Sequence, residues 1–217
     1  MARIFSLLFA AFLALAAAAQ PPYPEITTRA AALEALEHAD ARHRLAGVVY
    51  IGRTGLAADG PLLVKRLSDR DPLVRELAEA GVWLVWGRSG DAETDHLLAA
   101  GAEEMRAGRY PRAIGIFSEV IKRSPDFAEG WNKRATAYYL AGDLYKSLAD
   151  CDEVMKRNPQ HFGALSGYGQ IYVRLEEHEK AIDYFRRALA ANPNLTDLET
   201  VIRSLEELVR ERRRRSI

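Results

Sequence analysis

The C-terminal half of this sequence predicts an all-α array of stacked helix pairs, and three observations carry that prediction. Pro125, Pro159 and Pro193 stand 34 residues apart. The residues between them repeat with the same period over 94–127, 128–161 and 162–195. Beyond the third unit, 195–215 places Leu198, Ile202, Leu205 and Leu208 on one face of a helix.

Each position of the repeat has a physical reason. Position eight holds Gly101, Ala135 and Gly169, and position twenty holds Ala113, Ser147 and Ala181. These small residues let two helix backbones approach. Position four (Leu97, Trp131, Leu165), position eleven (Glu104, Tyr138, Tyr172), position twenty-four (Phe117, Cys151, Phe185) and position twenty-seven (Val120, Val154, Ala188) supply the bulk between helices. A turn near position fifteen separates helix A from helix B. Gly108 and Gly142 occupy it in the first two units and suit a left-handed helix end. The closing proline stops helix B. The stretch after the third unit is expected to cap the array, apolar side inward, because an uncovered last pair would expose its interior. Its alternative role is a docking helix for a partner.

This pattern resembles the tetratricopeptide repeat family over roughly 94–194. The resemblance implies a right-handed α-α superhelix in which each helix A lines a concave, peptide-binding groove. Its groove positions two, five, nine, twelve and thirteen fall here on Asp95, Leu98, Ala102, Met105 and Arg106; on Glu129, Asn132, Thr136, Tyr139 and Leu140; and on Gly163, Ser166, Gln170, Val173 and Arg174. Asn132, Thr136 and Gln170 are candidates to hydrogen-bond an extended backbone. Met105 and Tyr139 offer apolar contact, and Arg106 and Arg174 are candidate carboxylate partners. The basic-and-asparagine clamp by which some members hold a terminal carboxylate is not intact. The sequence departs from the pattern at Glu104 and Cys151, where large apolar residues are usual, and at Glu176, which replaces the turn glycine. Gly163 and Gly167 stand four apart inside a helix, at a cost of about 1 kcal/mol each relative to Ala. They clear room either for a ligand or for an aromatic neighbour such as Tyr139.

The chain opens with one arginine and an apolar run, 4–19, ending in Ala17-Ala18-Ala19. This reads as a signal peptide over 1–19, cleaved near Ala19, with an uncleaved anchor as the alternative. A proline-rich leader covers 20–26. The region 27–92 is expected to form HEAT-like helix pairs that continue the array N-terminally, followed by three tetratricopeptide units over 93–195 and the cap with its basic tail over 196–217. In 61–86, Leu62, Leu63 and Leu67 are expected inward on one helix. Asp69-Arg70-Asp71-Pro72 makes the turn, and Leu77, Ala78 and Leu84 are buried on the next helix. A Gly-Arg-Thr/Ser-Gly motif occurs at 52–55 and 87–90. Its first glycine is expected to cap a helix and its arginine to bond that helix's last carbonyls.

Nearly half of the 217 residues are apolar and the formal net charge is zero; losing Arg3 with the signal leaves 29 cations against 30 anions. Nothing in that balance argues for nucleic acid. Cys151 is the only cysteine, so no internal disulfide forms, and an exported chain without one fits a bacterial periplasm. The tail concentrates Arg210, Arg212, Arg213, Arg214 and Arg215. These suit a helix C-terminus, or an anionic membrane surface.

A search for chemistry returns little. His38 and His43 flank Asp40 at a spacing that sets two helical rings on different faces; His96, His161 and His178 stand isolated in sequence. Asp150, Asp152 and Glu153 read as a solvated helix face. No nucleophile elbow or phosphate loop is present. No catalytic, cofactor or metal residue is therefore assigned. The sequence supports a non-catalytic, exported scaffold that binds a partner segment in the helix-A groove. The first rival is a membrane adaptor held by the arginine tail, and the second an enzyme with a site near Trp83, Trp86 and Arg88.

Overall fold

The computed structural model describes residues 23–215, so the segment 1–19, expected to be a signal peptide, falls outside the described residues. All regular structure among them is helical. The chain divides between Arg88 and Ser89 into two compact units.

The first unit contains α1 (Arg29–Leu36), α2 (Ala41–Thr54), a 3-10 turn (Ala57–Asp59), α3 (Gly60–Val64) with a 3-10 continuation (Lys65–Ser68), and α4 (Pro72–Trp86). Thr28 caps α1, Asp40 caps α2, and Asp71 caps α4 directly before Pro72. Leu63 and Leu67 are buried as expected, but Leu62 is only half-buried and Val64 takes its place. The predicted helix over 61–68 breaks into an α and a 3-10 turn, which rotates successive side chains differently from a regular helix. In α4, Leu77 and Ala78 are buried while Leu84 is half-buried; Val82, Val85 and Trp86 fill the interior instead.

Arg44 locks this unit. Its guanidinium meets Asp69 through two bonds of 2.7 Å and donates to the carbonyls of His38 and Ala39. Both charged side chains are about 95% buried. Burial pushes the Asp69 carboxyl up, but Arg44 outweighs it and holds it below its ordinary range. His38 and His43 also differ from expectation. His38 lies in the turn before α2, and the two rings stack 3.9 Å apart.

The second unit contains α5 (Ala92–Arg106), α6 (Tyr110–Arg123), α7 (Ala128–Ala141), α8 (Leu144–Arg157), α9 (Phe162–Arg174), α10 (His178–Ala191) and α11 (Asp197–Arg215). Each helix packs on the next in sequence, and α7 also touches both α5 and α9. The A helices therefore form a continuous row, α5–α7–α9.

Within each pair, positions eight and twenty-four fit together. A methyl group on Gly101 would sit 2.5 Å from the Phe117 ring, and one on Gly169 would sit 2.3 Å from the Phe185 ring. The middle pair solves the same packing with Ala135 and Cys151, both buried. Alanine is tolerated there because a thiol, not a ring, faces it. The space the missing ring leaves is occupied by a cluster in which Tyr168 and Ile171 join Ala135 and Cys151, bordered by Tyr139, Leu144, Leu148 and Met155. Burial, reinforced by Asp150 and Asp152, pushes the Cys151 thiol up to about 12. Trp131 and Tyr138, expected between helices, are only half-buried. Arg134 and Arg157 lie over the Trp131 ring, 5.1 and 4.7 Å from its centre.

The turns follow the glycine rule in two units and break it in the third. Gly108 and Gly142 adopt φ of 72° and 91°, and Glu176 adopts φ of 59°. A side chain in that region costs about 1 kcal/mol. Glu176 uses its place: its carboxylate meets Arg212 of α11 at 3.0 Å, and Glu179 meets Arg213. In α11, Ile202 and Leu205 pack against Ala181, Ile182 and Phe185, flanked by Leu198 and Val209. Leu208, expected inward, is 38% exposed; Val209 occupies the inward register.

Gly101→Ala or Gly169→Ala should destabilise the protein by about 1–3 kcal/mol through overpacking. Gly167→Ala, whose methyl would meet only the Cys151 sulfur at 3.8 Å, should stabilise it by up to about 1 kcal/mol. Urea midpoints at constant slope measure both. Glu176→Gly should raise the thermal midpoint, because relief of the left-handed backbone outweighs an exposed ion pair.

Candidate peptide-binding groove

The groove is built on the row α5–α7–α9, so its lining depends on which faces of these helices remain uncovered. On α5, Leu98 is buried, Ala102 and Met105 are half-buried, and Arg106 is exposed and paired with Glu103 at 2.6 Å. Asp95 turns away: it accepts from the Ser89 amide and hydroxyl.

On α7 the floor is polar and largely satisfied from within. Glu129 is 3% exposed. Its Oε2 accepts from Asn132 Nδ2 at 3.0 Å and lies 3.0 Å from His161 Nε2, while Oε1 meets Lys133 Nζ at 2.9 Å. His161 Nδ1 accepts from the Ala164 amide and so caps α9. With that nitrogen accepting, the ring proton sits on Nε2 and points at Glu129. Burial raises the Glu129 carboxyl, but Lys133 and His161 hold it down at about 2. His161, isolated in sequence, is thus the buried link between two successive A helices. Thr136 donates its hydroxyl to the Asn132 carbonyl at 2.9 Å. Tyr139 is half-buried, and Leu140 is 44% exposed.

On α9, Gly163, Ser166 and Val173 are half-buried and Gln170 is exposed. Arg174 donates to the Tyr139 carbonyl at 2.8 Å, and its guanidinium lies 5.0 Å from the Tyr139 ring centre. No part of Tyr139 reaches the methyl position of Gly167, so an aromatic neighbour does not explain that glycine.

Other sequence candidates resolve into packing. Asp150 does not face water; it is buried and holds Arg134 through two bonds of 2.8 Å. Asp152 accepts from the Tyr168 hydroxyl, and Glu153 pairs with Lys156 and Arg157. Gly52 does not cap α2 but lies buried inside it; Gly55 follows the helix end. Arg88 donates to the carbonyls of Gly52 and Gly55, at the end of the long helix α2. Trp86 is buried, its ring edge-on to Trp83. Among the described residues no group of three or more His, Cys, Asp or Glu side chains is placed to hold a metal, and no helix is long and apolar enough to cross a membrane.

Comparison with known proteins agrees with this architecture. Residues 126–194 match the family model for the tetratricopeptide repeat. A repeat-containing protein of Rhizobium etli is 32% identical over 125 residues, covering 58% of this chain and 61% of its own length. Hsp70-Hsp90 organizing protein 1 of Glycine max is 27% identical over 149 residues, covering 69% of this chain but 25% of its own. The chain therefore spans about three fifths of the first relative and a quarter of the second. Among solved structures, the Sgt2 repeat domain of Aspergillus fumigatus superposes with a TM-score of 0.54 at 20% identity, over 57% of this chain and 83% of that one. The first repeat domain of Spaghetti, bound to the HSP90 peptide SRMEEVD, gives 0.52 at 22% identity, over 55% and 95%. Residues 126–194 therefore match the tetratricopeptide repeat, and the C-terminal unit shares its helix-pair fold with these solved repeat domains.

Proposed function

We propose that this protein is a non-catalytic scaffold that holds an extended segment of another protein in the groove formed by α5, α7 and α9. The observation that carries this reading is the unbroken row of A helices, with α7 touching both neighbours. Its uncovered side offers Met105, Tyr139 and Leu140 for apolar contact and Thr136, Ser166 and Gln170 for hydrogen bonds. The buried Glu129–His161 link fixes the angle between α7 and α9, so the surface is preformed and binding orders little of the array. The organizing proteins and the Spaghetti domain, the latter with a peptide bound, support a groove that takes a segment of a partner.

The proposed setting is the bacterial envelope after removal of 1–19. The arginine tail is proposed as a clasp and not a lipid anchor, because Arg212 and Arg213 are engaged by Glu176 and Glu179.

A photoreactive residue at exposed position 170 should crosslink to a partner in an envelope fraction, and Asn132→Ala with Thr136→Ala should reduce the yield at least tenfold. Crosslinking unaffected by those changes would remove the groove from the account. Gly163→Ala/Gly167→Ala separates ligand clearance from mere tolerance: loss of crosslinking with retained stability supports clearance, and unchanged crosslinking removes it. The N-terminal residue of the exported protein, read by mass spectrometry, should be Gln20. Liposome flotation with anionic vesicles should be the same with and without 212–215.

A further inference from the structure

Which chemistry the groove accepts follows from where its own protons go. A carboxylate can only accept hydrogen bonds. Because Glu129 is ionised and its Oε2 lies 3.0 Å from Asn132 Nδ2, the Asn132 amide has one permitted orientation. Its nitrogen is spent on Glu129 and its oxygen turns the other way, on a residue that is itself only 8% exposed. One turn on, the single hydroxyl proton of Thr136 is given to the Asn132 carbonyl, so the Thr136 oxygen also faces outward with lone pairs only. Residues 132 and 136 share one face of α7. The side chains of 132 and 136 therefore present two acceptors and no donor to the groove, while Ser166 and Gln170 on α9 keep a hydroxyl and an amide. The flanking cations are engaged in part, each guanidinium keeping further N–H groups. Arg106 is paired with Glu103, and Arg174 is stacked on Tyr139 while donating to its carbonyl.

We propose that the middle of the groove selects a segment carrying a hydrogen-bond donor, a lysine ammonium or a side-chain amide, and rejects an acidic segment or a terminal carboxylate. This rests on the groove being the binding surface. It sets this chain apart from the Spaghetti domain, whose bound peptide SRMEEVD is acidic. A carboxylate placed over Asn132 and Thr136 would lose water and meet oxygen, a mismatch of one unpaired group and hence about tenfold in affinity.

The test is fluorescence anisotropy with the full chain and two labelled probes: SRMEEVD, and the same peptide with both glutamates changed to lysine, the aspartate to asparagine, and the C-terminus amidated. The lysine probe should bind at least tenfold more tightly at 0.15 M salt and keep a preference at 0.5 M, where long-range charge is screened. Glu129→Gln frees the Asn132 amide to turn over and should bring the preference below about threefold; circular dichroism and thermal melting report whether the fold survives. Thr136→Val removes one acceptor without touching Glu129 and should weaken the lysine probe severalfold. Equal or tighter binding of SRMEEVD overturns the polarity and leaves the groove standing, as does a preference unchanged in both variants. Binding of neither probe at millimolar concentration overturns the groove itself.

Discussion

The fit of a small residue against position twenty-four sets the geometry of the repeat unit. At Gly101 and Gly169 the ring of the facing helix lies where a methyl would go, so the backbones of A and B come together as closely as side chains allow. The cost of glycine in a helix, about 1 kcal/mol, is offset by burial of a phenylalanine, worth about 1.5–3 kcal/mol. With B helices drawn tightly behind them, the A helices stand in a row and share one open side. Groove, turns and cap are consequences of that spacing.

Polar groups then fix how one pair sits on the next. Apolar faces slide; directed bonds do not. His161 closes the second unit, caps the third and donates to Glu129 at the start of α7, 32 residues back. Arg134 on α7 meets both Asp150 on α8 and Ser118 on α6. In the N-terminal unit, Arg44 and Asp69 do the same for two loops. Buried ion pairs add little net stability compared with apolar residues of equal size. Their measurable effect here is on register: each admits one arrangement of its partners and penalises others. Orienting the Asn132 amide is a by-product of that design.

Much of this was legible in the sequence. The period, the small residues at positions eight and twenty, the left-handed glycines and the cap all came from local spacing, which survives folding. The size match of Gly with Phe and Ala with Cys was visible too, once positions eight and twenty-four were set side by side. What escaped depends on distance in sequence. His161 and Asp150 looked isolated or solvated because their partners lie 32 and 16 residues away on other helices. Arg88 bonds a helix end more than thirty residues earlier. Leu208 and Val209 could not be separated by pattern, since a helical stripe is wide enough for either and packing alone decides. Of the groove, the residues were named, but the direction of their protons was not; that requires Glu129 to be placed.

The lone cysteine of the chain carries a practical consequence. Cys151 is 2% exposed, and its thiol is held almost wholly protonated at neutral pH. A thiolate is the species that reacts, so alkylating reagents reach it only when α7, α8 and α9 come apart. Its labelling kinetics are thus a clock for opening of the central unit, the one that holds Glu129 and Asn132. The native protein supplies its own probe of how often the proposed recognition surface dissolves and re-forms.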